Sequence, residues 1–119
     1  MRDRAKRREN ESAEALSQNG YDVEQNPPPK ANGKEPDYKI EGEYFDCYSP
    51  ETGNLDNIRV KLSEKVADDQ ADRLILNMDD TPASMDDIAA MLRRKPIADL
   101  KEILVVKDGN VIPFYPFGE

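Results

Sequence analysis

The chain has 119 residues, enough for one domain with a modest core, and its 25 acidic and 17 basic residues give a net charge of −8. This acidic balance argues against a general nucleic-acid coat protein, whose affinity depends on a broad basic surface, but it permits an enzyme with a local basic groove. Histidine is absent, which excludes a Ser-His-Asp triad, histidine-based ribonuclease chemistry and typical zinc sites.

The first predicted element is a helix over about residues 2–19, with a basic start and Gly20 as its C-terminal stop. Its apolar stripe is thin, so we expect it either to lie at the edge of the domain or to fray at its beginning. A short strand is predicted over residues 21–25. Three consecutive prolines end that strand, because proline cannot donate a ladder hydrogen bond.

Residues 36–48 are predicted to form a β-hairpin joined at Gly42-Glu43, where glycine at the first central position suits a type II′ turn. Alternation then places Asp37 and Asp46 on one face as diagonal neighbours, within reach of a shared cation. The opposite face is apolar and carries Tyr38, Ile40, Phe45 and Cys47. Two interpretations follow: an ordinary amphipathic hairpin with a charged outer face, or a metal-binding nuclease hairpin.

The next predicted helix is capped by Asn54 and extends to about Ala67. Its buried stripe follows helical spacing and consists of Leu55, Ile58, Leu62 and Val66. Lys65 lies at the margin of this stripe, where its ammonium group can bend over the edge of a sheet. The alternative is that its aliphatic stem packs while its charged end meets water.

The remainder of the chain predicts an apolar strand over residues 73–78 and a helix from Ser84, in a capping box with Asp87, to about Arg94. A second apolar strand covers residues 102–107, and a turn leads to an edge strand over residues 111–115 that contains Pro113.

This order of elements requires right-handed crossovers between parallel strands. The predicted fold is therefore a small three-layer α/β domain with a mixed central sheet. It forms one unit, with a basic start over residues 1–9 and a core over residues 10–119.

Two stretches of the chain match the pattern of a known family. They are Asp37-Tyr38-x-Ile40-Glu41-Gly42-x-x-Phe45-Asp46-x-Tyr48-x-Pro50, and Lys65-Val66 followed by Gln70-Ala71-Asp72-Arg73-Leu74-Ile75-Leu76-Asn77. With these motifs the chain resembles, over roughly residues 9–115, the C-terminal tRNase toxin domain of the CdiA contact-dependent growth inhibition proteins. The resemblance implies a fold like that of the PD-(D/E)xK endonucleases.

The family's catalytic site uses a helix glutamate, two aspartates and a lysine, and the resemblance implies that these are Glu11, Asp37, Asp46 and Lys65. The usual acid-x-Lys pattern is absent, because Tyr48 stands where the lysine is expected. Either Lys65 or Lys39, which the predicted register puts across from Asp46, would have to supply the amine.

The resemblance further implies that Asp37 and Asp46 hold a divalent metal ion, Mg²⁺ being the expected one, since this hard cation prefers oxygen ligands. Tyr48, Gln70 and Arg73 are candidates for positioning the substrate, and for each of them a structural role is an alternative of at least equal weight. The implied partners are tRNA and a cognate immunity protein, and the free domain is expected to be monomeric.

The implied location is the end of a larger exported bacterial protein that acts in the target-cell cytoplasm. Two alternatives stay open. The net charge of −8 and the missing lysine suit a non-catalytic acidic binding or immunity-type module, and a DNase of the same fold is the other.

Overall fold

The computed structural model describes residues 4–68 and 71–118 and contains three helices and six strands within them. None of these helices is both long and apolar enough to span a membrane. In chain order the elements are α1 (Arg4–Gln18), β1 (Val23–Gln25), β2 (Tyr38–Ile40), β3 (Glu43–Tyr48), α2 (Leu55–Ala67), β4 (Arg73–Asn77), α3 (Met85–Arg94), β5 (Glu102–Lys107) and β6 (Asn110–Tyr115).

The six strands form one mixed sheet in which spatial order equals chain order. The three central strands, β3, β4 and β5, are parallel because α2 and α3 connect them as crossovers. The outer pairs are antiparallel: β1 with β2, β2 with β3, and β5 with β6. The predicted mixed sheet is therefore confirmed, and β6 with Pro113 lies at an edge as expected.

Helices cover both faces of the sheet, which confirms the predicted three-layer architecture. On one face α2 and α3 enclose the larger apolar cluster, to which Leu74 and Leu76 of β4 contribute. On the other face α1 covers the smaller cluster, which Ile75 joins from the same strand. The alternation along β4 explains why its sequence is apolar without interruption: each side chain faces a helical layer.

Local signals determine the beginnings of two helices as predicted. The Asn54 side chain accepts a hydrogen bond from the Asn57 backbone N–H at 3.0 Å and caps α2. The Ser84 hydroxyl accepts one from the Asp87 N–H at 3.0 Å and caps α3.

The turn between β2 and β3 differs from the prediction. It consists of Glu41 and Gly42, whose φ values of 50° and 85° are both left-handed, as in a type I′ turn. Positive φ is uncommon for glutamate. Here Glu41 is held by Asp22, since its N–H donates to the Asp22 carbonyl at 3.0 Å and its carboxylate accepts from the Asp22 N–H at 2.7 Å.

This turn shifts the hairpin register by two residues from the predicted one. Lys39 pairs with Tyr44 rather than with Asp46. A shift of two residues leaves every side chain on its predicted face, because side chains alternate with a period of two. Its consequence is that Asp37 lies directly opposite Asp46 instead of diagonal to it.

Candidate active site

Asp46 is the buried centre of a polar cluster at the junction of the antiparallel and parallel parts of the sheet. Its side chain is 4% exposed and faces α2, where Lys65 Nζ donates to Asp46 Oδ2 at 2.7 Å. The backbone N–H of Asp37 donates to the other oxygen, Oδ1, at 3.2 Å. A carboxylate in this position requires such partners, because burying an unpaired charge costs several kcal/mol.

Asp37 immediately precedes β2 and presents its carboxyl group beside that of Asp46. Its Oδ2 accepts a hydrogen bond from the Cys47 N–H at 2.9 Å. Burial, together with the neighbouring Asp46 carboxylate, raises the pKa of Asp37 to about 8. Two adjacent carboxylates resist being ionised together. The pair is therefore suited to binding either a proton or a cation.

The helix α1 contributes Glu9 to this cluster. The Tyr38 hydroxyl donates to the Glu9 backbone carbonyl at 2.6 Å, which fixes the rotation of the helix at that point. The Glu9 side chain is 12% exposed and accepts a hydrogen bond from Lys6 Nζ at 2.8 Å, and the nearby Glu9 carboxyl adds to the raised pKa of Asp37. Glu9 was missed in the sequence although it continues the α1 stripe, four residues before Ala13 and seven before Leu16.

The structure does not bring Glu11 to this cluster. Two residues along a helix correspond to a rotation of about 200°, so Glu11 points away from Asp37 when Glu9 points toward it. Its side chain is 46% exposed and accepts a hydrogen bond from Arg8 Nη1 at 2.7 Å. It lines a different cavity, together with Asn77 and Asp79.

Two adjoining cavities open at the cluster. The first has a volume of about 390 Å³ and is lined by Asp37, Asp46, Lys61, Glu64, Lys65 and Asp68. The second, of about 310 Å³, shares Lys61 and Lys65 with the first and also contacts Tyr48 and Glu9. Carboxylates and ammonium groups thus line both cavities, which share Lys61 and Lys65 and are together called the trough.

Comparison with known proteins identifies the family. The sequence profile of the contact-dependent growth inhibition CdiA C-terminal domain matches residues 34–111. The chain belongs to this family. It is 43% identical over 112 residues to the tRNA nuclease CdiA-2 of Burkholderia pseudomallei (strain 1026b), a match that covers 93% of this chain and 4% of that protein.

A solved structure shares the fold of this CdiA C-terminal domain. It is that of the CdiA-CT/CdiI toxin and immunity complex from Burkholderia pseudomallei, with 41% identity and a TM-score of 0.87. The superposition covers 95% of this chain and 86% of the matched one. The expected family resemblance and the α/β architecture are therefore confirmed.

Of the two candidate lysines in this CdiA C-terminal domain, Lys65 is the one at the carboxylates. Lys39 instead lies over the ring of Tyr44, with its Nζ 5.4 Å from the ring centroid. The reason is the hairpin register, which pairs Lys39 with Tyr44 and leaves the space beside Asp46 to the helix α2.

The three predicted substrate-binding residues have different placements. Tyr48 lines the second cavity. Arg73 lies at the start of β4 in ion pairs with Glu43 at 3.5 Å and Glu102 at 3.1 Å, and it does not line either cavity of the trough. Gln70 lies outside the described residues.

The residues that face the trough fit a hard cation with few protein ligands. Within residues 4–68 and 71–118, no group of three or more His, Cys, Asp and Glu side chains is arranged to hold a metal ion. Asp37 and Asp46 supply oxygen donors from two carboxyl groups. Mg²⁺ commonly binds through one or two carboxylates, with water and substrate phosphate completing the shell. The donor set therefore suits Mg²⁺ and not a metal that needs a complete protein cage.

Cys47 does not offer a second chemistry at this site. Its half-buried side chain packs against the apolar cluster beneath α1. Burial raises the pKa of the thiol to about 12, so it is not a thiolate at neutral pH. Its contribution to the trough is the backbone N–H that orients Asp37.

Proposed function

We propose that this domain is a metal-dependent endoribonuclease toxin that hydrolyses tRNA phosphodiester bonds. One geometric observation carries the proposal: Asp46 lies between Asp37 and Lys65, with the lysine Nζ 2.7 Å from one carboxylate oxygen. The proposal is also supported by the 43% identity to a relative named as a tRNA nuclease. A lysine beside paired carboxylates is a combination suited to phosphodiester hydrolysis.

In this proposal Asp37 and Asp46 bind the divalent ion, which as a bound Lewis acid supplies charge neutralisation and a more acidic water. Lys65 holds its ammonium group where negative charge develops on the phosphate, and the fixed hydrogen bond to Asp46 orients it before substrate arrives. Glu9 closes the carboxylate cluster on the α1 side. The Cys47 N–H keeps one Asp37 oxygen oriented during the reaction.

The biological setting follows the family. The matched structure is a complex of a toxin with its immunity protein, and we propose that a cognate immunity protein likewise neutralises this domain. The chain spans 4% of the length of the curated relative. We propose that it acts as the delivered toxin portion of a larger CdiA protein, in the cytoplasm of the target cell.

The test is cleavage of total tRNA by the purified domain with Mg²⁺, compared with Asp46→Asn. Removal of the buried charge from the cluster is expected to lower the cleavage rate by at least about a hundredfold, consistent with the loss of a direct metal ligand and of the partner that orients Lys65. EDTA is expected to abolish cleavage. Asp86→Asn, an exposed change in the first turn of α3, is the matched control and should cleave normally.

Two results would contradict the proposal. Cleavage that persists in Asp46→Asn would remove the assigned site, and cleavage unaffected by EDTA would remove the metal. Duplex DNA tested in parallel distinguishes the DNase alternative. A wild-type domain that is folded but cuts neither substrate would favour the non-catalytic module.

A further inference from the structure

The second cavity beside the carboxylate cluster shares Glu9 and Lys65 with the proposed active site, but its Tyr48 and Lys61 have no role in the chemistry described so far. It has a volume of about 310 Å³, at the lower end of the range of about 300–1,000 Å³ for small-molecule pockets. Its lining includes Arg4, Glu9, Tyr48, Lys61 and Lys65. Because Lys61 and Lys65 line both cavities, a strand lying across Lys65 meets the two spaces in succession.

Tyr48 gives this cavity an aromatic wall. The side chain is half-buried and packs against the large apolar cluster under α2 and α3. An aromatic ring that packs against the core and lines a polar cavity is suited to stacking with a nucleobase, and such stacking tolerates any base.

Lys61 gives the same cavity an accessible cation. It lies one helical turn before Lys65 on α2, so the two side chains project from the same side of the helix. Its side chain is 62% exposed, and its ion pair with Glu64 is long, at 3.7 Å. In contrast, Arg4 is already engaged, by Asp80 at 2.6 Å and by the Ser49 carbonyl at 2.8 Å. Lys61 is therefore the lining cation best placed to receive a phosphate.

We propose that this cavity is a nucleotide subsite that holds the nucleotide adjoining the cleaved bond. The base stacks on Tyr48, and the phosphate of that nucleotide binds Lys61. The assignment rests on the proposed nuclease function, and it explains how a chain with a net charge of −8 binds an anionic strand: it uses a local pair of lysines and one aromatic surface.

The first test separates KM from kcat in tRNA cleavage. Tyr48→Leu keeps an apolar side chain against the core but removes the ring, and it is expected to raise KM about tenfold, or about 1.4 kcal/mol, with a smaller change in kcat. Tyr48→Phe keeps the ring and is expected to stay within about twofold of the wild type. A tenfold loss in Tyr48→Phe as well would overturn stacking as the role of this residue.

Lys61→Gln provides a second variant whose side chain is exposed, so its folding is not at issue. It is expected to raise KM several-fold and to reduce the salt dependence of binding, because one phosphate contact is lost. Lys107→Gln is the control: it removes the same charge from an exposed position at the end of β5, two strands away from β3. Equal effects of the two substitutions would overturn the subsite and indicate a general charge effect.

The second test does not depend on cleavage. Adenosine 5′-monophosphate is titrated into the metal-free protein, and backbone amide shifts are followed by NMR. Shifts centred on Tyr48 and Lys61, and weakened in Tyr48→Leu and Lys61→Gln, support the subsite even if tRNA is not cut, in which case only the proposed function fails. Absence of binding, or shifts elsewhere on the domain, overturns the subsite even if tRNA is cut.

Discussion

The two halves of α1 are attached to the domain by different forces. In the second half, Ser12, Ala13, Ala15 and Leu16 are buried against the sheet, and Asn77 Nδ2 donates to the Ser12 hydroxyl at 2.8 Å. In the first half, residues 4–11, no residue is buried. Apolar packing therefore fixes the later turns, whereas polar contacts must hold the earlier ones.

Those polar contacts converge on Asp80, just beyond the end of β4. Arg8 binds its carboxylate with two hydrogen bonds at 2.9 and 2.8 Å, and Arg4 adds a third at 2.6 Å. The hydrogen bonds from Arg8 and Arg4 lower the pKa of Asp80 to about 2. Glu9, which reaches Asp37, belongs to this half of the helix. Apolar packing against the sheet thus belongs to the second half of α1, and the glutamate that approaches the site belongs to the first half.

The largest expected effect is a loss of stability in the second half of α1, which packs against the sheet. Leu16→Ala removes a fully buried side chain and leaves a cavity between α1 and the sheet, so we expect a loss of about 3 kcal/mol in the free energy of unfolding. Urea unfolding followed by circular dichroism measures it. A loss below about 1 kcal/mol would show that α1 is not held by its apolar stripe.

The next largest effect is on kcat/KM and distinguishes Glu9 from Glu11 as the glutamate of the active site. Glu9→Gln is expected to lower kcat/KM for tRNA by about 10- to 100-fold, as for other groups that support a metal ligand, because its carboxyl lies at Asp37. Glu11→Gln is the matched control on the exposed side of the same helix and should stay within about twofold. The reverse result would restore Glu11 to the position that the resemblance implies.

The elements were predictable because their signals are local. Caps at Asn54 and Ser84, the apolar runs of β4 and β5, and Pro113 at an edge each depend on residues close together in sequence. The hairpin register was not predictable in this way. Gly42 fits either turn, and what distinguishes them is the contact of Glu41 with Asp22, nineteen residues away.

The residues of the site divide in the same way into those that local signals predict and those that depend on long-range contacts. Adjacent strands bring Asp37 and Asp46 together in either register, so their proximity could be predicted. The choice between Glu9 and Glu11 depends on the rotation of α1 about its axis. That rotation is fixed by Tyr38 and by Asn77, whose partner Ser12 is 65 residues away. The sequence contains only a weak signal of these long-range contacts. This signal is the helical spacing of four residues between Glu9 and the buried Ala13.

A smaller effect on stability is expected in the first half of α1, which ion pairs attach to the domain. Asp80→Asn keeps the size of the side chain but removes the charge that Arg4 and Arg8 share, so we expect a loss of about 1–2 kcal/mol in the free energy of unfolding. Glu51→Gln is the control, because Glu51 pairs with the same Arg4 at 3.3 Å but is 69% exposed. Its expected loss is below about 0.5 kcal/mol. Equal losses for both variants would mean that the burial of Asp80 adds nothing.

The smallest effect is a pH dependence that distinguishes Asp37 from Asp80. Because the pKa of Asp37 is raised to about 8 in the folded domain, the folded state holds an extra proton between about pH 4 and pH 8. Stability of the metal-free domain should therefore fall as pH rises through that window, by about 1 kcal/mol once water access to the half-buried site is considered. Asp80 has the opposite effect on the pH dependence of stability, because its pKa is lowered. The stabilisation that its carboxylate provides is lost as pH falls from about 4 to about 2.

Thermal unfolding from pH 5 to pH 8.5 measures the Asp37 contribution, and Asp37→Asn should flatten the dependence of the unfolding temperature on pH.

The effect of Mg²⁺ on stability tests the protonation of the same carboxyl group. A metal ligand must be deprotonated, so binding displaces the extra proton and should weaken as pH falls below about 8. Mg²⁺ should therefore raise the unfolding temperature more at pH 8.5 than at pH 5, and this difference should vanish in Asp37→Asn. A wild-type shift that is independent of pH would place the metal away from Asp37, even if tRNA cleavage requires it.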